Sequence, residues 1–151
     1  MASEFEVYFQ ENAFNKTSAH FADKAEGGLE ALGFLLGTVY SFEGVRYVVV
    51  EDYITADNDA TAVSVSFSQK AFENLSRELK EKQDKVIVGW AHSHPNYGCF
   101  LSSTDVRTQM VFFPEDFHFA FVCDPLRKES KAFKVSSGKT REISFAVIRP
   151  K

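Results

Sequence analysis

The residues from Val86 to Pro95 place the strongest constraint on the fold, because an apolar run there ends in two histidines and a proline. Val86 to Trp90 predicts a β-strand. Side chains two residues apart on a strand lie on the same face, about 6.6–7 Å apart, so His92 and His94 direct their imidazoles toward one point. Pro95 cannot continue the ladder of hydrogen bonds and ends the strand at once. The histidine pair is therefore expected at the rim of a sheet, where solvent can reach it.

The rest of the chain predicts an α/β (α+β) fold with a mixed or antiparallel sheet. Short β-compatible apolar runs predict strands, and apolar residues spaced three and four apart predict helices. Strands are expected near Phe5–Phe9, Leu29–Val39, Arg46–Glu51, Val86–Trp90, His118–Cys123, Ala132–Val135 and Glu142–Ile148, and helices at Asn12–Lys24, Ser68–Lys82 and Ser103–Val111. Residues 55–62 have the composition of a loop. The 16 phenylalanines predict a core filled by large flat side chains.

Length and charge narrow the class of protein. With 151 residues the chain is expected to form a single domain over residues 1–151. The formal net charge of −4, with 17 basic and 21 acidic residues mixed along the chain, argues against a nucleic-acid partner, which usually needs a clustered basic surface. The apolar runs are interrupted and the polar start is not a signal peptide, so no membrane span is expected. We therefore expect a cytoplasmic protein whose two cysteines, Cys99 and Cys123, stay reduced.

A third polar residue follows the two histidines at a spacing that suits a metal site. Ten residues, Pro95 to Thr104, separate His94 from Asp105, which is enough for a loop to fold back and present the carboxylate from a helix start. Two His and one Asp leave a fourth tetrahedral position open, the arrangement of catalytic rather than structural zinc. A water in that position has its pKa lowered to about 7. The sequence therefore predicts one catalytic Zn²⁺ held by His92, His94 and Asp105.

Each half of this pattern also has an ordinary structural explanation. An isolated His-x-His is most often a coincidence of a strand or a surface. Ser102-x-x-Asp105 resembles a helix cap, in which the serine accepts a backbone hydrogen bond and the acid faces the positive end of the helix dipole. The two interpretations are compatible, because a serine at a helix start has an oriented hydroxyl. Their combination within one stretch is what indicates a metal site.

A hydrolytic metal site also needs a base, and two glutamates are candidates. Glu30 stands inside the apolar run Leu29–Gly37, and a carboxylate in a buried strand is costly unless it is paired or serves a site. Glu51 directly follows the apolar run Val48–Val50 and is a candidate base for the same reason. Asp52 comes next, however, and favours a strand end in solvent. The pattern by itself leaves both candidates open.

These residues resemble the JAMM (MPN+) metalloprotease family, whose pattern is an early Glu, then His-x-His-Pro, then, seven residues after the second His, Ser-x-x-Asp. Here the seven residues Pro95 to Leu101 lead from His94 to Ser102-Ser103-Thr104-Asp105. The stretches Glu30–Gly37, Gly89–Gln109 and Val122–Pro125 are also similar to the family, chiefly to its proteasome-lid and signalosome members. The resemblance covers most of the chain and favours Glu30 over Glu51.

The resemblance implies a fold, a mechanism and a substrate. The implied fold is a curved mixed β-sheet flanked by helices, layered as in cytidine deaminases. Zinc would be bound by His92, His94 and Asp105. Glu30 would polarise the hydrolytic water and carry its proton to the leaving amine, and Ser102 would hydrogen-bond the oxyanion. The implied reaction is hydrolysis of the isopeptide bond between the C-terminus of ubiquitin, or of a ubiquitin-like protein, and a lysine. The implied partners are such conjugates, and the proteasome or another MPN-domain protein.

Two segments bear on the substrate and on the type of enzyme. The compact segment Val111–Phe117 leaves little room for the second insertion of eukaryotic members, which suggests an archaeal or prokaryotic type. Asn96 stands where close relatives carry Gly. The residues Val63, Ser64, Val65 and Ser66 could pair as a strand edge with the extended tail of a substrate. An ordinary edge strand is the alternative for the same residues.

Other functions stay open at this point. The chain could process a ubiquitin-like sulfur-carrier protein, which presents a similar tail. It could be a non-catalytic MPN scaffold, although all five motif positions are filled. A cysteine hydrolase using Cys99 or Cys123 with His94 is disfavoured, because nothing in the sequence orients such a pair. Cys99 is expected to be a packed thiol, with a fourth, inhibitory zinc ligand as the alternative.

Overall fold

A computed structural model describes residues 5–55, 73, 77–81 and 84–150 of the chain. The strands over these residues are β1 (Val7–Gln10), β2 (Leu32–Phe42), β3 (Val45–Thr55), β4 (Val86–Ser93), β5 (Phe119–Asp124), β6 (Glu129–Ser136), β7 (Lys139–Ile143) and β8 (Phe145–Ile148). The helices are α1 (Glu11–Glu26) and α2 (Ser103–Phe112), and residues 77–81 are helical as well. No helix among the described residues is both long and apolar enough to cross a membrane.

One mixed sheet contains all eight strands, in the order β7-β6-β5-β4-β2-β3-β1-β8. β1 runs parallel to β3 and β8, β4 runs parallel to β5, and the other neighbouring pairs are antiparallel. The edge strands β7 and β8 are joined by Ser144 alone, so the sheet must curl until its two edges approach each other. Glu6 bridges the gap, with Lys134 Nζ at 3.0 Å and Arg141 Nη1 at 2.9 Å from its carboxylate. The predicted curved mixed sheet flanked by helices is confirmed.

Apolar side chains pack on both faces of the sheet. The cluster on one face includes Ala13 and Phe21 of α1, and the cluster on the other face centres on Trp90 and on Phe113, which follows α2. Four phenylalanines of the first cluster are fully buried: Phe9, Phe21, Phe119 and Phe121. Burying each such ring stabilises the fold by roughly 1.5–3 kcal/mol. Large flat side chains therefore fill the core, as the number of phenylalanines predicts.

The strand bounds differ from the predicted ones at two informative places. β2 begins at Leu32, so Glu30 precedes the strand and does not stand within it. Ala31 instead bonds across to the end of β4, where its N–H donates to Ser93 Oγ at 2.8 Å. The predicted strand Glu142–Ile148 is two strands, because the chain passes at Ser144 from one edge of the curled sheet to the other.

Some predictions lie outside the described residues. These are most of the loop at 55–62, the strand edge formed by Val63, Ser64, Val65 and Ser66, and the first part of the helix Ser68–Lys82. Residues 77–81, near the end of that helix, are helical as predicted. The single-domain boundary at 1–151 also stays a prediction.

Candidate metal centre

Three segments of the chain bring four titratable side chains together at one rim of the sheet. Glu30 lies between α1 and β2. His92 and His94 lie at the end of β4, and Asp105 lies in the first turn of α2. Each of these residues is buried, with 4–8% of its surface exposed. The structure therefore places the three predicted zinc ligands and the predicted base side by side.

Short contacts link the four side chains. His92 Nε2 lies 2.9 Å from Glu30 Oε1, and the other ring nitrogen, Nδ1, lies 3.4 Å from Asp105 Oδ1. His94 Nε2 lies 3.6 Å from Asp105 Oδ2. The two imidazoles meet edge to face, with ring centroids 4.7 Å apart. Each imidazole therefore directs one nitrogen at the Asp105 carboxylate, and only His92 directs the other at Glu30.

The spacing of these atoms fits a tetrahedral metal ion. Atoms bound to zinc at about 2.0–2.1 Å lie about 3.4 Å apart at tetrahedral angles. The imidazole nitrogens are 3.4 and 3.6 Å from the oxygens of Asp105. His92 Nε2–H donates to Glu30, so Nδ1 on the other side of the ring is the nitrogen that offers a lone pair to a metal ion once its proton is lost. This Nδ1 is buried without a hydrogen-bond partner among the described residues, which a metal ion would remedy.

Two sets of ligands are compatible with the cluster. The ligand atoms of Glu30, His92 and His94 lie within 4.8 Å of one another, so these three could share an ion. The contacts of the rings favour the predicted set with Asp105 instead. An imidazole binds an ion through one nitrogen. Nδ1 of His92, which no described residue hydrogen-bonds, and Nε2 of His94 both face Asp105. Glu30 then remains beside the metal ligands as a separate carboxylate.

The two carboxylates control the protonation of the site. Burial would lower the pKa of His92, but the nearby carboxylates of Asp105 and Glu30 outweigh it and raise this pKa to about 9. Burial would raise the pKa of Asp105 and of Glu30, but the contacts with His92 hold both values below the ordinary range. Both carboxylates are therefore ionised near neutral pH. A metal ion must displace a proton from His92 in order to bind.

A reciprocal cap fixes the start of α2. Ser102 Oγ accepts from the N–H of Asp105 at 3.1 Å, and Asp105 Oδ2 accepts from the N–H of Ser102 at 2.9 Å. The helix cap predicted from this motif is therefore present. It does not exclude a role of Ser102 and Asp105 in the site. The cap uses only an acceptor site of the serine, so the half-buried hydroxyl keeps its hydrogen to donate.

A buried carboxylate anchors the turn that follows His94. Asp124, which is 0% exposed, accepts from the N–H of Asn96 at 2.8 Å and from that of Gly98 at 2.7 Å. It also accepts from the backbone N–H groups of Leu126 and Arg127, both at 3.1 Å. Asn96 and Gly98 adopt positive φ angles of 68° and 87°, which these two residue types tolerate best. Asn96 thus serves the geometry of this turn.

Tyr97 belongs to the site, although no motif in the sequence indicates a role for it. Its hydroxyl donates to Glu30 Oε2 at 3.1 Å, and its ring stacks on His94 with centroids 5.4 Å apart. Phe100 also contacts the His94 ring, with centroids 4.9 Å apart. Both aromatic residues are about half exposed and form the rim of the site. The only signal in the sequence is their place in the loop between the ligands.

Gln109 and His118 hold α2 against β4. Trp90 Nε1–H donates to Gln109 Oε1, and Gln109 Nε2 donates to the carbonyl of His118 at 3.2 Å. His118 Nε2–H in turn donates to the carbonyl of Ile87 at 3.1 Å. No motif in the sequence predicts a role for these residues at the site. They keep the helix that carries Asp105 in register with the strand that carries the histidines.

The remaining candidates lie apart from the cluster or outside the described residues. Glu51, the competing base, accepts from Thr38 Oγ1 at 2.9 Å on the β2–β3 hairpin. Cys99 and Cys123 are free cysteines, and burial raises the pKa of both thiols. High thiol pKa values disfavour a cysteine nucleophile. The predicted substrate-binding residues Val63, Ser64, Val65 and Ser66 lie outside the described residues.

Comparison with known proteins identifies relatives of the chain. Residues 3–114 match the model of the family described as JAB1/Mov34/MPN/PAD-1 ubiquitin protease. The chain is 32% identical over 142 residues to COP9 signalosome complex subunit 5 of Debaryomyces hansenii, covering 89% of this chain and 28% of the relative. It is 33% identical over 119 residues to 26S proteasome non-ATPase regulatory subunit 14 of Dictyostelium discoideum, covering 77% and 38%. The chain thus spans less than half the length of these relatives.

A solved structure supports the fold alone. Protein DSY2949 from Desulfitobacterium hafniense superimposes with a TM-score of 0.71, covering 95% of this chain and 94% of that protein. Only 20% of the aligned residues are identical, so the likeness extends to the architecture and not to the chemistry.

Proposed function

The chain belongs to the JAB1/Mov34/MPN/PAD-1 ubiquitin protease family, and on that premise we propose that it is a zinc-dependent isopeptidase. It hydrolyses the bond between the C-terminus of ubiquitin, or of a ubiquitin-like protein, and a substrate lysine. The observation that carries this proposal is the buried cluster of Glu30, His92, His94 and Asp105, in which one imidazole nitrogen has no hydrogen-bond partner within the described part of the chain.

His92, His94 and Asp105 would hold the zinc ion. When bound there, zinc polarises a carbonyl oxygen and lowers the pKa of a water molecule to about 7. Asp105 suits this task because its cap with Ser102 fixes the carboxylate before any ion arrives. Once His92 has lost its second proton, its bond to Glu30 likewise holds the imidazole in one tautomer.

Glu30 is the general base. Its pKa is lowered by His92 and Tyr97 in spite of burial, so the carboxylate is free to accept a proton at neutral pH. It takes the proton of the attacking water and then gives it to the lysine nitrogen, which leaves as an amine. Ser102 donates its hydroxyl hydrogen to the carbonyl oxygen as negative charge develops there.

The partners proposed for this chain are conjugates of ubiquitin or a ubiquitin-like protein. The names of the relatives support this choice, since they are subunits of the COP9 signalosome and of the 26S proteasome. An association with a proteasome or with another MPN-domain protein is proposed on the same ground. A role for Val63, Ser64, Val65 and Ser66 in binding the tail stays a prediction.

Two substitutions of similar size separate the proposed roles. Glu30→Gln removes the base and leaves the three ligands, so this variant is expected to keep one zinc per chain and to lose cleavage of a ubiquitin–lysine isopeptide conjugate. Asp105→Asn removes a ligand, so it is expected to lose both the zinc and the cleavage. Zinc is measured by metal analysis after dialysis, and cleavage by release of ubiquitin.

The pattern of results distinguishes the alternatives. If Glu30→Gln loses zinc and Asp105→Asn keeps it, the other set of ligands is correct. If the wild type binds zinc and leaves both the ubiquitin conjugate and a conjugated sulfur-carrier protein intact, the isopeptidase proposal is wrong. The domain then acts as a non-catalytic scaffold.

A further inference from the structure

The carboxylate of Glu30 is held from two sides by separate parts of the chain. Neighbouring Ala31 fixes the backbone, because it exchanges bonds with Ser93 at 2.8 and 3.0 Å. In the side chain, Oε1 lies 2.9 Å from His92 Nε2, and Oε2 accepts from the hydroxyl of Tyr97 at 3.1 Å. The terminal torsion of a glutamate is otherwise broad. One contact on each oxygen therefore fixes the orientation of the carboxylate.

Tyr97 is fixed by contacts that do not involve its hydroxyl. The flanking residues Asn96 and Gly98 are both bound through their N–H groups by the buried carboxylate of Asp124. The ring stacks on His94 with an angle of 26° between the planes. The hydroxyl is thus presented to Glu30 by a rigid turn, and the bond does not depend on a flexible side chain.

The hydroxyl contributes only a small part of the stability of the fold. The residue is 49% exposed, and water can replace a hydrogen bond at such a position. Phenylalanine at this position would keep the stacking on His94 and lose only the bond to Glu30. The hydroxyl is therefore expected to act through the carboxylate of Glu30, to which it donates.

We propose that Tyr97 is a positioning residue, whose hydroxyl holds Glu30 in the orientation that serves as the base. The inference rests on the role of Glu30 in the proposed function. A base must lie within hydrogen-bond reach of the proton that it takes, and small displacements at that point are costly. Without the hydroxyl, Oε2 is free to turn toward solvent. The carboxylate of Glu30 is then in the orientation for accepting the proton only part of the time.

The kinetic test compares two tyrosines. Tyr97→Phe is expected to lower kcat for a ubiquitin–lysine isopeptide conjugate about tenfold, with KM and zinc content unchanged. Tyr40→Phe is the matched control, because Tyr40 is 43% exposed and stacks on Tyr47 in the β2–β3 hairpin. It is expected to keep the activity of the wild type. An unchanged kcat in Tyr97→Phe would overturn the inference, and so would a loss confined to KM.

A second measurement on the metal-free protein does not depend on activity. Tyr97→Phe is expected to lower the Tm by about 2 °C in the wild-type background and by nothing in the Glu30→Ala background, where the acceptor is missing. Equal shifts in both backgrounds would show that the hydroxyl does not act through Glu30, and would overturn the inference. If the wild type cleaves no conjugate, the proposed function fails. The thermal cycle still decides whether Tyr97 holds Glu30.

Discussion

At the scale of single residues, a proton and a metal ion compete for the same nitrogen, Nδ1 of His92. Asp105 and Glu30 are ionised near neutral pH, and their charges stabilise either cation at this nitrogen. The pKa of His92 is raised to about 9, so the imidazole of the metal-free protein is protonated over the physiological range. Binding of zinc should therefore release this proton.

The pH dependence of zinc binding follows from this competition. A group that must lose one proton makes the affinity rise about tenfold per pH unit below its pKa. We expect the zinc affinity to rise in this way from pH 6 to pH 8 and to level off above the pKa of about 9. Calorimetry in two buffers of different ionisation enthalpy measures the released proton. His20→Asn, at a histidine bonded to Tyr53, is expected to behave as the wild type, and binding without proton release would contradict the assignment of Nδ1.

Ser102 combines a structural and a chemical role, and substitution can separate them. Ser102→Ala removes the cap of α2, which is expected to cost about 1 kcal/mol of unfolding free energy. It also removes the donor to the oxyanion, which is expected to lower kcat by about 10²–10³. Ser102→Thr keeps a capping hydroxyl and should recover most of both. Urea unfolding measures the stability of each variant, and cleavage of the conjugate measures its kcat. A Ser102→Ala variant with the full kcat would mean that Ser102 only caps the helix.

At the scale of elements, the site depends on how closely β4 and β5 approach. A Cβ added at Gly89 would lie 2.5 Å from the carbonyl oxygen of Phe119, a distance that the backbone cannot accept. Gly89 is three residues before His92 on the same strand. A larger residue here must push β4 away from β5 and displace the histidines with it.

Gly89→Ala is therefore expected to lower both stability and zinc affinity. Overpacking against backbone typically costs about 1–3 kcal/mol, and we expect the upper part of that range. Gly27→Ala is the matched control, because a Cβ there meets nothing closer than 3.8 Å. Urea unfolding and zinc titration of both variants provide the comparison. A Gly89→Ala protein as stable as the control would mean that β4 and β5 can separate without loss.

The same elements show how far the sequence predicts the structure. Local patterns predicted the start of α2 to the residue, because Ser102-x-x-Asp105 is a motif that acts within one turn. They predicted the histidine pair at a strand end, because Pro95 is a local signal. The contact of Tyr97 with Glu30 joins residues 67 positions apart, and no local pattern reports such a contact.

The position of Glu30 was predicted wrongly in detail for a similar reason. Its surroundings Leu29–Gly37 form an apolar run that predicts a strand throughout, yet β2 begins only at Leu32. Just before β2, the N–H of Ala31 donates to the side chain of Ser93, a contact that depends on tertiary structure. Glu30, one residue earlier, directs its carboxylate at His92. The resemblance to a family chose Glu30 over Glu51 where the pattern could not.

At the scale of the whole molecule, the ends of the sheet are brought together by one short link and one ion-pair cluster. Ser144 joins the two edge strands, and Glu6, next to β1, pairs with Lys134 on β6 and Arg141 on β7. The cluster therefore links residues that are 128 and 135 positions apart. It supports the curl of the sheet, which carries α1 on one face and α2 on the other.

This cluster should make stability depend on pH in a defined direction. The hydrogen bond from Arg141 lowers the pKa of Glu6 below 4.5, burial opposes it, and Lys134 lowers it further. A carboxyl group whose pKa is lowered by folding stabilises the protein fully above its unfolded value, and the contribution is lost as the pH falls through the folded value. Glu6→Gln is thus expected to be less stable than the wild type at pH 7, by up to about 1 kcal/mol, and to approach it near pH 3.

Urea unfolding at the two pH values measures this difference, and the chain offers a matched control. Glu142 lies 3.7 Å from Lys131, and both side chains are about half exposed, so Glu142→Gln is expected to leave stability unchanged at either pH. A deficit in Glu6→Gln that persists undiminished at pH 3 would mean that Glu6 acts through packing. The curl of the sheet would then be held by its apolar core and the short link at Ser144, without help from charge.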